Sequence, residues 1–145
     1  MPVSPIPTGH NAVSPYLTVR DARGLIEFIK QTFDAKEVSV LAGPGGMVMH
    51  AELRVSDSIV MVGGVMPGSE TFNGQVHVYV TNVDVTYACA LAAGATSTRE
   101  PTDMFYGDRI SMVKDAFGNL WAISTHKEDV SPEEMNRRMA AQKKG

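Results

Sequence analysis

The order of the predicted elements repeats along this chain, and this repeat limits its possible folds more than any other feature of the sequence. In the first half, alternating apolar and polar residues predict a strand over 13–19. Asp21 can cap a helix over 22–33, whose apolar residues fall at helical spacing. Three further strands are predicted, at 37–42, 47–55 and 58–62.

The second half predicts the same order of elements. A strand over 76–81 precedes a helix that Asp84 can cap and Gly94 ends. Three strands are again predicted to follow, at 95–100, 109–114 and 119–125. Matching residues recur roughly sixty positions apart, as in Tyr16-Leu-Thr and Tyr79-Val-Thr.

The repeat predicts an α+β fold of two βαβββ modules, about 12–64 and about 75–126, within a single domain over 1–145. Ser131, Pro132 and Glu134 have the spacing of a capping box and predict a C-terminal helix over about 131–142. With 145 residues, of which 43% are hydrophobic, the chain is long enough to bury one core, and a second independent domain is not expected.

Charge and cysteine content exclude several classes of function. The formal charge of -3 and the pI near 5.8 argue against a nucleic-acid partner. No apolar run is long enough to span a membrane, and the N-terminus lacks the charged and hydrophobic regions of a signal peptide, so we expect a cytoplasmic protein without a membrane partner. Cys89 is the only cysteine, which rules out an internal disulfide and a multi-cysteine metal site.

Two segments carry a resemblance to a known family. Residues 15–21, PYLTVRD, open the first module, and residues 114–121, KDAFGNLW, close the second. In these segments and in its paired modules the chain resembles the vicinal oxygen chelate superfamily, which includes glyoxalase I, extradiol dioxygenases and bleomycin-resistance proteins. Residues 49–53, MHAEL, and 104–109, MFYGDR, look most like its PhnB-like branch, whose members are mostly of unestablished function.

The resemblance covers nearly all of the chain, from about Val13 to His126, and implies a specific architecture. This is the glyoxalase/bleomycin resistance/dioxygenase fold, in which two βαβββ modules form curved mixed sheets around a cavity and the helices cover the outer face. Such proteins commonly dimerise, so we expect a homodimer.

In this superfamily a divalent metal is held by one side chain from the first and one from the last strand of each module. The resemblance assigns these positions to Ser14, Met61, His77 and Ala122. Only His77 is a good ligand, because a neutral hydroxyl is weak, a thioether suits soft metals and Ala122 has no donor. No cofactor is therefore favoured.

A second set of donors keeps a metal-dependent alternative open. His50 and Glu52 lie on one face of a predicted strand, and with His77 they could form a two-histidine, one-carboxylate site for Zn, Ni, Mn or Fe. Alternatively, they could hydrogen-bond an organic ligand without metal, or they could be the solvated polar face of a strand. These three residues are the catalytic candidates.

The inward face of the sheets predicts a small-molecule pocket, with mainly apolar walls and a few polar groups. Onto it would project Ser14, Tyr16, His50, Glu52, Met61, His77, Tyr79, Ala122 and Ser124. Residues 102–109 are predicted to form an irregular connection, in which Phe105 or Tyr106 could stack on a planar ligand or pack against a partner subunit, and Asp108 could pair with Arg109. The predicted ligand-binding residues are Tyr16, His50, Glu52, Met61, His77, Tyr79, Phe105 and Tyr106. Ordinary core packing is the alternative for each of them, and Trp121 is expected in the core.

The favoured function is binding of a planar or aromatic small molecule, without metal, by a homodimer. The alternative is a metal-dependent lyase, isomerase or dioxygenase that acts on a substrate with vicinal oxygens. A third reading is metal-free acid-base catalysis by His50 and Glu52. His10 lies before the first strand and His126 follows the last, and either could be a surface residue.

Overall fold

The computed structural model describes residues 2–143, which form two four-stranded mixed sheets and three helices. The first module contains β1 (Tyr16–Val19), α1 (Ala22–Phe33), β2 (Lys36–Ala42), β3 (Val48–Val55) and β4 (Ser58–Gly64). The second contains β5 (Gln75–Tyr79), α2 (Val83–Ala92), β6 (Thr96–Asp103), β7 (Asp108–Lys114) and β8 (Leu120–His126), and α3 (Pro132–Gln142) follows. The predicted α+β class and order of elements are confirmed.

The two sheets have the same topology. Their strand orders are β1-β4-β3-β2 and β5-β8-β7-β6, and in each sheet the first strand of the module runs parallel to the last. The other neighbouring strands are antiparallel. Each module is therefore one βαβββ unit, in which the helix connects the first strand, at one edge of the sheet, to the second strand, at the opposite edge.

The helices begin at side-chain caps. The Asp21 side chain accepts from the Gly24 N–H at 2.9 Å, and that of Ser131 accepts from the Glu134 N–H at 3.2 Å, both as predicted. The prediction for α2 was wrong, because Asn82 rather than Asp84 accepts from the Val85 N–H at 3.3 Å. Within residues 2–143, no helix has the length and apolar character needed to cross a membrane.

The core lies between the helices and one face of each sheet. Apolar residues that alternate along the strands are buried there, including Leu17, Leu53, Val60, Val78 and Ile123. Trp121 is fully buried, as predicted, and its ring centroid lies 6.0 Å from that of Phe28 and 5.3 Å from that of Phe33. Because both phenylalanines belong to α1, side chains of the two modules share one core.

Strand β3 departs from simple alternation at its start. The register with β2 shifts between the pairs Leu41–His50 and Ala42–Val48, so Met49 lies in a bulge. Val48 is consequently buried, whereas Met49 is 45% exposed. The alternation predicted from the sequence holds only from His50 onwards.

The connection predicted over 102–109 is much shorter than expected. Strand β6 extends to Asp103 and β7 begins at Asp108, which leaves only residues 104–107 as a turn. The Met104 N–H donates to the Asp108 carbonyl at 2.7 Å, and Gly107 has a φ of +105° that favours glycine. Phe105 and Tyr106 therefore occupy a tight hairpin turn instead of a long flap.

Candidate functional site

A chain of hydrogen bonds crosses the face of the first sheet that points away from its helix. The register places Tyr16 beside Met61 and Met61 beside Glu52, so their side chains share this face. His50 Nδ1 lies 3.1 Å from the Tyr16 hydroxyl, and His50 Nε2 lies 2.9 Å from Glu52 Oε2. His10 adds a second imidazole, because its Nε2 lies 2.9 Å from Glu52 Oε1.

These contacts determine the charge of Glu52. The hydrogen bond from His50 lowers the pKa of this carboxyl, burial opposes it, and the hydrogen bond from His10 lowers the pKa further. Glu52 is thus an ionised acceptor at neutral pH, with each oxygen bonded to one imidazole. Because an ionised carboxylate can only accept, the nitrogen of His50 that faces it, Nε2, is the donor of this hydrogen bond.

Gly63 makes room for the tyrosine at one end of this chain. A Cβ at this position would lie 2.9 Å from the Tyr16 hydroxyl oxygen and 3.1 Å from the Met49 carbonyl oxygen. A residue with a side chain would push the phenol away from His50. The absence of a side chain at Gly63 therefore allows the Tyr16–His50 contact.

The second sheet carries a different chain on the corresponding face. The Tyr79 hydroxyl donates to Asp108 Oδ2 at 2.9 Å, and His126 Nδ1 lies 2.7 Å from Asp108 Oδ1. The Asp108 side chain is only 6% exposed, whereas the other nitrogen of His126 contacts the exposed Asp129 carboxylate at 2.7 Å. Asp108 is thus a buried carboxylate that bonds to the Tyr79 phenol with one oxygen and to the His126 imidazole with the other.

The buried carboxylate shifts the acidity of both its partners. The hydrogen bond to Asp108 raises the pKa of the Tyr79 phenol, with burial and nearby Tyr106 acting in the same direction. Hydrogen bonds to Asp108 and then Asp129 raise the pKa of His126, and burial opposes them. The protonated forms of Tyr79 and His126 are therefore both favoured.

His77 lies on the same face of the second sheet as Tyr79. Its Nε2 is 2.9 Å from the Ser124 hydroxyl, and its ring stacks on Tyr79 with 4.8 Å between centroids. Tyr79 is still 58% exposed, and Tyr16 is 46% exposed. Each sheet consequently presents an accessible aromatic surface beside polar groups.

The residues predicted to bind metal are distributed over both sheets. Ser14 precedes β1, and the register pairs Met61 with Tyr16 and the buried Ala122 with His77. His50 and Glu52 are in contact, but His77 bonds to Ser124 on the other sheet. Among the described residues, no three histidine, cysteine, aspartate or glutamate side chains are arranged to hold a metal.

Phe105 and Tyr106 pack on each other in the β6–β7 turn. Their rings meet edge to face, with 5.3 Å between centroids, and the Phe105 carbonyl accepts from Arg138 Nη1 of α3 at 3.0 Å. The predicted Asp108–Arg109 pair does not form. Adjacent residues of a strand point to opposite faces, so Arg109 instead binds Asp84 of α2 at 2.9 Å.

Three members of these chains were not identified from the sequence. His10 and His126 were considered only as possible surface residues, and Asp108 was paired with the wrong partner. The alternation along β7 and β8 could have placed Asp108 and His126 on one face, because these residues pair directly in the register. No local signal could have linked His10 to Glu52, which lies in a distant part of the sequence.

Two open clefts adjoin these faces where the modules meet. The smaller, about 440 Å³, is lined by His77, Tyr79, residues 55–58 and mainly apolar side chains that include Val13 and Val60. The larger, about 1000 Å³, is lined by Tyr79 and His126 together with residues from α1, β3 and α2. Both volumes are within the range of small-molecule sites.

Comparisons with known proteins agree with this architecture. A sequence model of the Glyoxalase/Bleomycin resistance protein/Dioxygenase superfamily matches residues 9–123. Uncharacterized proteins of Mycobacterium bovis and Mycobacterium tuberculosis are 34% identical over 145 residues, covering 92% of this chain and 95% and 85% of theirs, respectively.

Solved structures show the same fold. TioX from Micromonospora sp. ML1 is 25% identical, with a TM-score of 0.68 over 80% of this chain and 98% of TioX. A glyoxalase/bleomycin resistance protein/dioxygenase family enzyme from Burkholderia phytofirmans is 21% identical, with a TM-score of 0.64 over 78% of this chain and 96% of that protein.

Proposed function

The chain belongs to the glyoxalase/bleomycin resistance protein/dioxygenase superfamily, and from this premise we propose that it binds a planar or aromatic small molecule on its polar sheet faces without a metal ion. Ligand-binding roles are proposed for Tyr16, His50, Glu52, Met61, His77, Tyr79, Phe105 and Tyr106. We also propose its assignment to the PhnB-like branch. The cytoplasmic location stays a prediction.

The observation that carries this proposal is that the polar groups of the first sheet already satisfy one another. Both nitrogens of His50 and both oxygens of Glu52 have hydrogen-bond partners within the chain. A metal ion would have to break these contacts before it could use either side chain. An organic ligand can instead stack on Tyr16 and exchange hydrogen bonds at the edge of the chain.

The donor chemistry of the superfamily's metal positions supports the same conclusion. Ser14 and Met61 offer a hydroxyl and a thioether, while His77 and Ala122, paired across β5 and β8, offer an imidazole and a methyl group. Hard divalent ions prefer carboxylate and imidazole ligands. The side chains at these four positions therefore do not fit a Zn, Ni, Mn or Fe site.

We further propose that the chain works as a homodimer. Large apolar or aromatic side chains are exposed on or beside the polar faces, namely Tyr16, Leu41, Met49, Phe72 and Tyr79. Exposed aromatic and apolar groups of this kind are typical of interfaces. A second copy that covers them would enclose the ligand surface, and analytical ultracentrifugation across a range of concentrations would measure the association.

The binding function can be tested with a panel of planar heteroaromatic fragments, followed by saturation-transfer NMR. Tyr16→Leu and Tyr79→Leu should each weaken the best fragment about fivefold, because each removes one aromatic stacking contact. Tyr87→Leu is the matched control, since the Tyr87 hydroxyl bonds to Ser97 away from these faces. Fragments that bind the three variants equally, or that bind none of the proteins, would contradict the proposal.

A second candidate function follows from the 2.9 Å contact between His50 and Glu52. A carboxylate that orients an imidazole is the arrangement used in general acid-base catalysis, and it needs no metal. Recovery of the bound fragment after long incubation separates the two functions. An unaltered fragment supports binding alone, whereas a changed one that survives intact with Glu52→Gln supports catalysis.

A further inference from the structure

The larger cleft has features that the proposed function does not use. It lies between the C-terminal end of α1, the paired strands β2 and β3, the end of β5 and one face of α2. Its volume of about 1000 Å³ is enough for a small organic molecule. Apolar side chains form much of its wall, including Phe33, Val55, Val78 and Val85.

Two unpaired cations stand together at this cleft. Lys36 and Arg54 are direct neighbours across β2 and β3, and both line the cleft. Like charges placed opposite each other destabilise a sheet unless an anion lies between them. Within residues 2–143 neither makes an ion pair, and the only side-chain hydrogen bond of Arg54 there runs from Nη2 to the Gly9 carbonyl at 2.9 Å.

The other polar groups of the lining differ in what they can offer a ligand. Asp34 is the one carboxylate of the described lining, and both nitrogens of His126 already contact Asp108 and Asp129. Thr32 also lines the cleft, and its buried hydroxyl oxygen has no hydrogen-bond partner among the described residues. A buried donor without a partner costs free energy, so a rotation of this side chain that brings its hydroxyl to an acceptor of a ligand would be favourable.

We propose that this cleft is a separate binding site for an apolar monocarboxylate. The carboxylate would lie against Lys36 and Arg54, and the hydrocarbon part would lie along the wall formed by Phe33, Val78 and Val85. The positive charges of Lys36 and Arg54 would neutralise the carboxylate, and the apolar wall would bury the hydrocarbon part of the ligand. The cleft shares Tyr79 with the face of the second sheet, and Arg54 lies on the same face of β3 as Glu52. Lys36, Phe33 and Cys89 line the cleft and are not among the residues proposed to bind a ligand on the sheet faces, so probes at these residues distinguish the two sites.

Cys89 provides a direct report of occupancy, because it is the only cysteine of the chain and lines this cleft. The experiment measures the rate of Cys89 alkylation by N-ethylmaleimide in the full chain, with increasing 2-naphthoate. The neutral 2-naphthalenemethanol is the charge control, and decanoate tests a flexible hydrocarbon in place of a planar one. We expect 2-naphthoate or decanoate to protect Cys89 at a concentration at least about tenfold below that of the alcohol.

Charge variants identify which side chains hold the carboxylate. Arg54→Gln and Lys36→Gln should each raise the half-protecting concentration of the acid about tenfold, the scale of one charge-assisted hydrogen bond, and leave that of the alcohol unchanged. Lys114→Gln removes the same charge from an exposed position on β7 outside the cleft and should change neither.

Equal protection by acid and alcohol, or an acid affinity that falls equally in all three variants, would overturn the proposal. If Cys89 reacts too slowly to follow, amide chemical shifts of Thr32, Lys36 and Arg54 report the same titration. No shift at these residues with millimolar 2-naphthoate or decanoate would also overturn it. Shifts confined to residues around Tyr16 would leave the function proposed for the sheet faces intact and reject this site alone.

Discussion

The two modules place a tyrosine at the same position in their sheets, yet they surround it with different chemistry. In the first sheet, Tyr16 pairs with Met61 of β4, which pairs in turn with Glu52 of β3. In the second sheet, Tyr79 pairs with Ser124 of β8, which pairs in turn with Ile110 of β7. Two residues before Glu52 stands His50, and two before Ile110 stands Asp108. Each of these residues contacts the hydroxyl of its own module's tyrosine.

The difference lies in burial and charge. Tyr16 bonds to a half-buried imidazole, whose carboxylate partner Glu52 is the second link of the chain. Tyr79 bonds directly to a buried carboxylate, whose imidazole partner His126 faces solvent. Both modules therefore place a tyrosine hydroxyl at the same position. In the first module an imidazole bonds to it and a carboxylate follows, whereas in the second a carboxylate bonds to it and an imidazole follows, so the two polar faces differ in chemistry.

The turns that close the modules provide the largest expected contrast. Asp115 is buried between β7 and β8 and accepts from the backbone of Phe117 and Asn119, from the Asn119 amide and from Trp121 Nε1. Asp115→Ala should lower the free energy of unfolding by about 3 kcal/mol, because it leaves buried donors without partners. Urea denaturation measures this loss.

The control is Asp57→Ala in the corresponding turn of the first module, where the carboxylate is exposed and, among the residues that the structure describes, accepts only from its neighbour Ser58. Its cost should be under about 0.5 kcal/mol, the usual range for an exposed substitution. Similar losses for the two variants would show that the turns are equivalent after all.

The partners of the two tyrosines should differ in their contribution to stability. Asp108→Ala removes a buried acceptor from Tyr79 and His126 and should cost about 2 kcal/mol. His50→Ala removes a partly exposed residue and should cost about 1 kcal/mol or less. Chemical denaturation of both variants in one buffer tests the order, and a larger loss for His50→Ala would contradict it.

The modules should also respond to pH in opposite directions. Because the folded state raises the pKa of His126, its contribution to stability is complete below the unfolded imidazole value of about 6.5 and is lost as the pH rises through the folded value. The gap in unfolding free energy between wild type and His126→Gln should therefore shrink from mildly acidic to alkaline buffer.

The contribution of Glu52 to stability should change with pH in the opposite direction. Its folded pKa is lowered, so its contribution is complete above the unfolded value of about 4.3 and is lost as the pH falls through the folded value. The gap between wild type and Glu52→Gln should shrink in acid. A gap that changes with pH in the same direction for both variants would reject this assignment of charges.

The smallest effect concerns the glycine that admits Tyr16. Gly63→Ala places a methyl group against the phenol, which can shift away as the end of a flexible side chain, and 3.1 Å from the Met49 carbonyl oxygen, which must move slightly. We expect a stability loss of about 1 kcal/mol or less, together with loss of the Tyr16–His50 hydrogen bond. The ring nitrogen shifts of His50 in ¹⁵N NMR report that bond, and unchanged shifts would mean that Tyr16 does not depend on this space.

Sequence patterns predicted the scaffold because its determinants are local. Alternation in the strands and helical spacing in α1 gave the order of elements, and Trp121 was assigned correctly to the core. The bulge at Met49 was missed, because the alternation of apolar and polar residues along β3 does not show where its pairing with β2 shifts by one residue. The extent of β6 was missed because residues 102–109 contain Gly and Asp, which are typical of irregular connections, whereas β6 continues as an edge strand to Asp103.

The polar chains were only partly predictable. Tyr16, His50 and Glu52 were identified because they alternate on strands that the sequence already indicated. His10 joins them from the segment before β1, and only the folded chain brings its imidazole to Glu52. The placement of His77 on a separate sheet likewise follows from tertiary structure, so the spacing of a possible metal trio could not decide whether it forms.

Metal content decides between metal-free binding and metal-dependent chemistry. Tag-free protein is incubated with Zn, Ni, Mn and Fe(II), desalted and analysed by mass spectrometry beside His77→Ala. We expect far less than one metal per chain in both proteins, because Met61 and Ala122 offer no suitable donors and His50 and Glu52 are bonded to each other. Near one metal per chain in the wild type, lost in His77→Ala, would contradict this expectation.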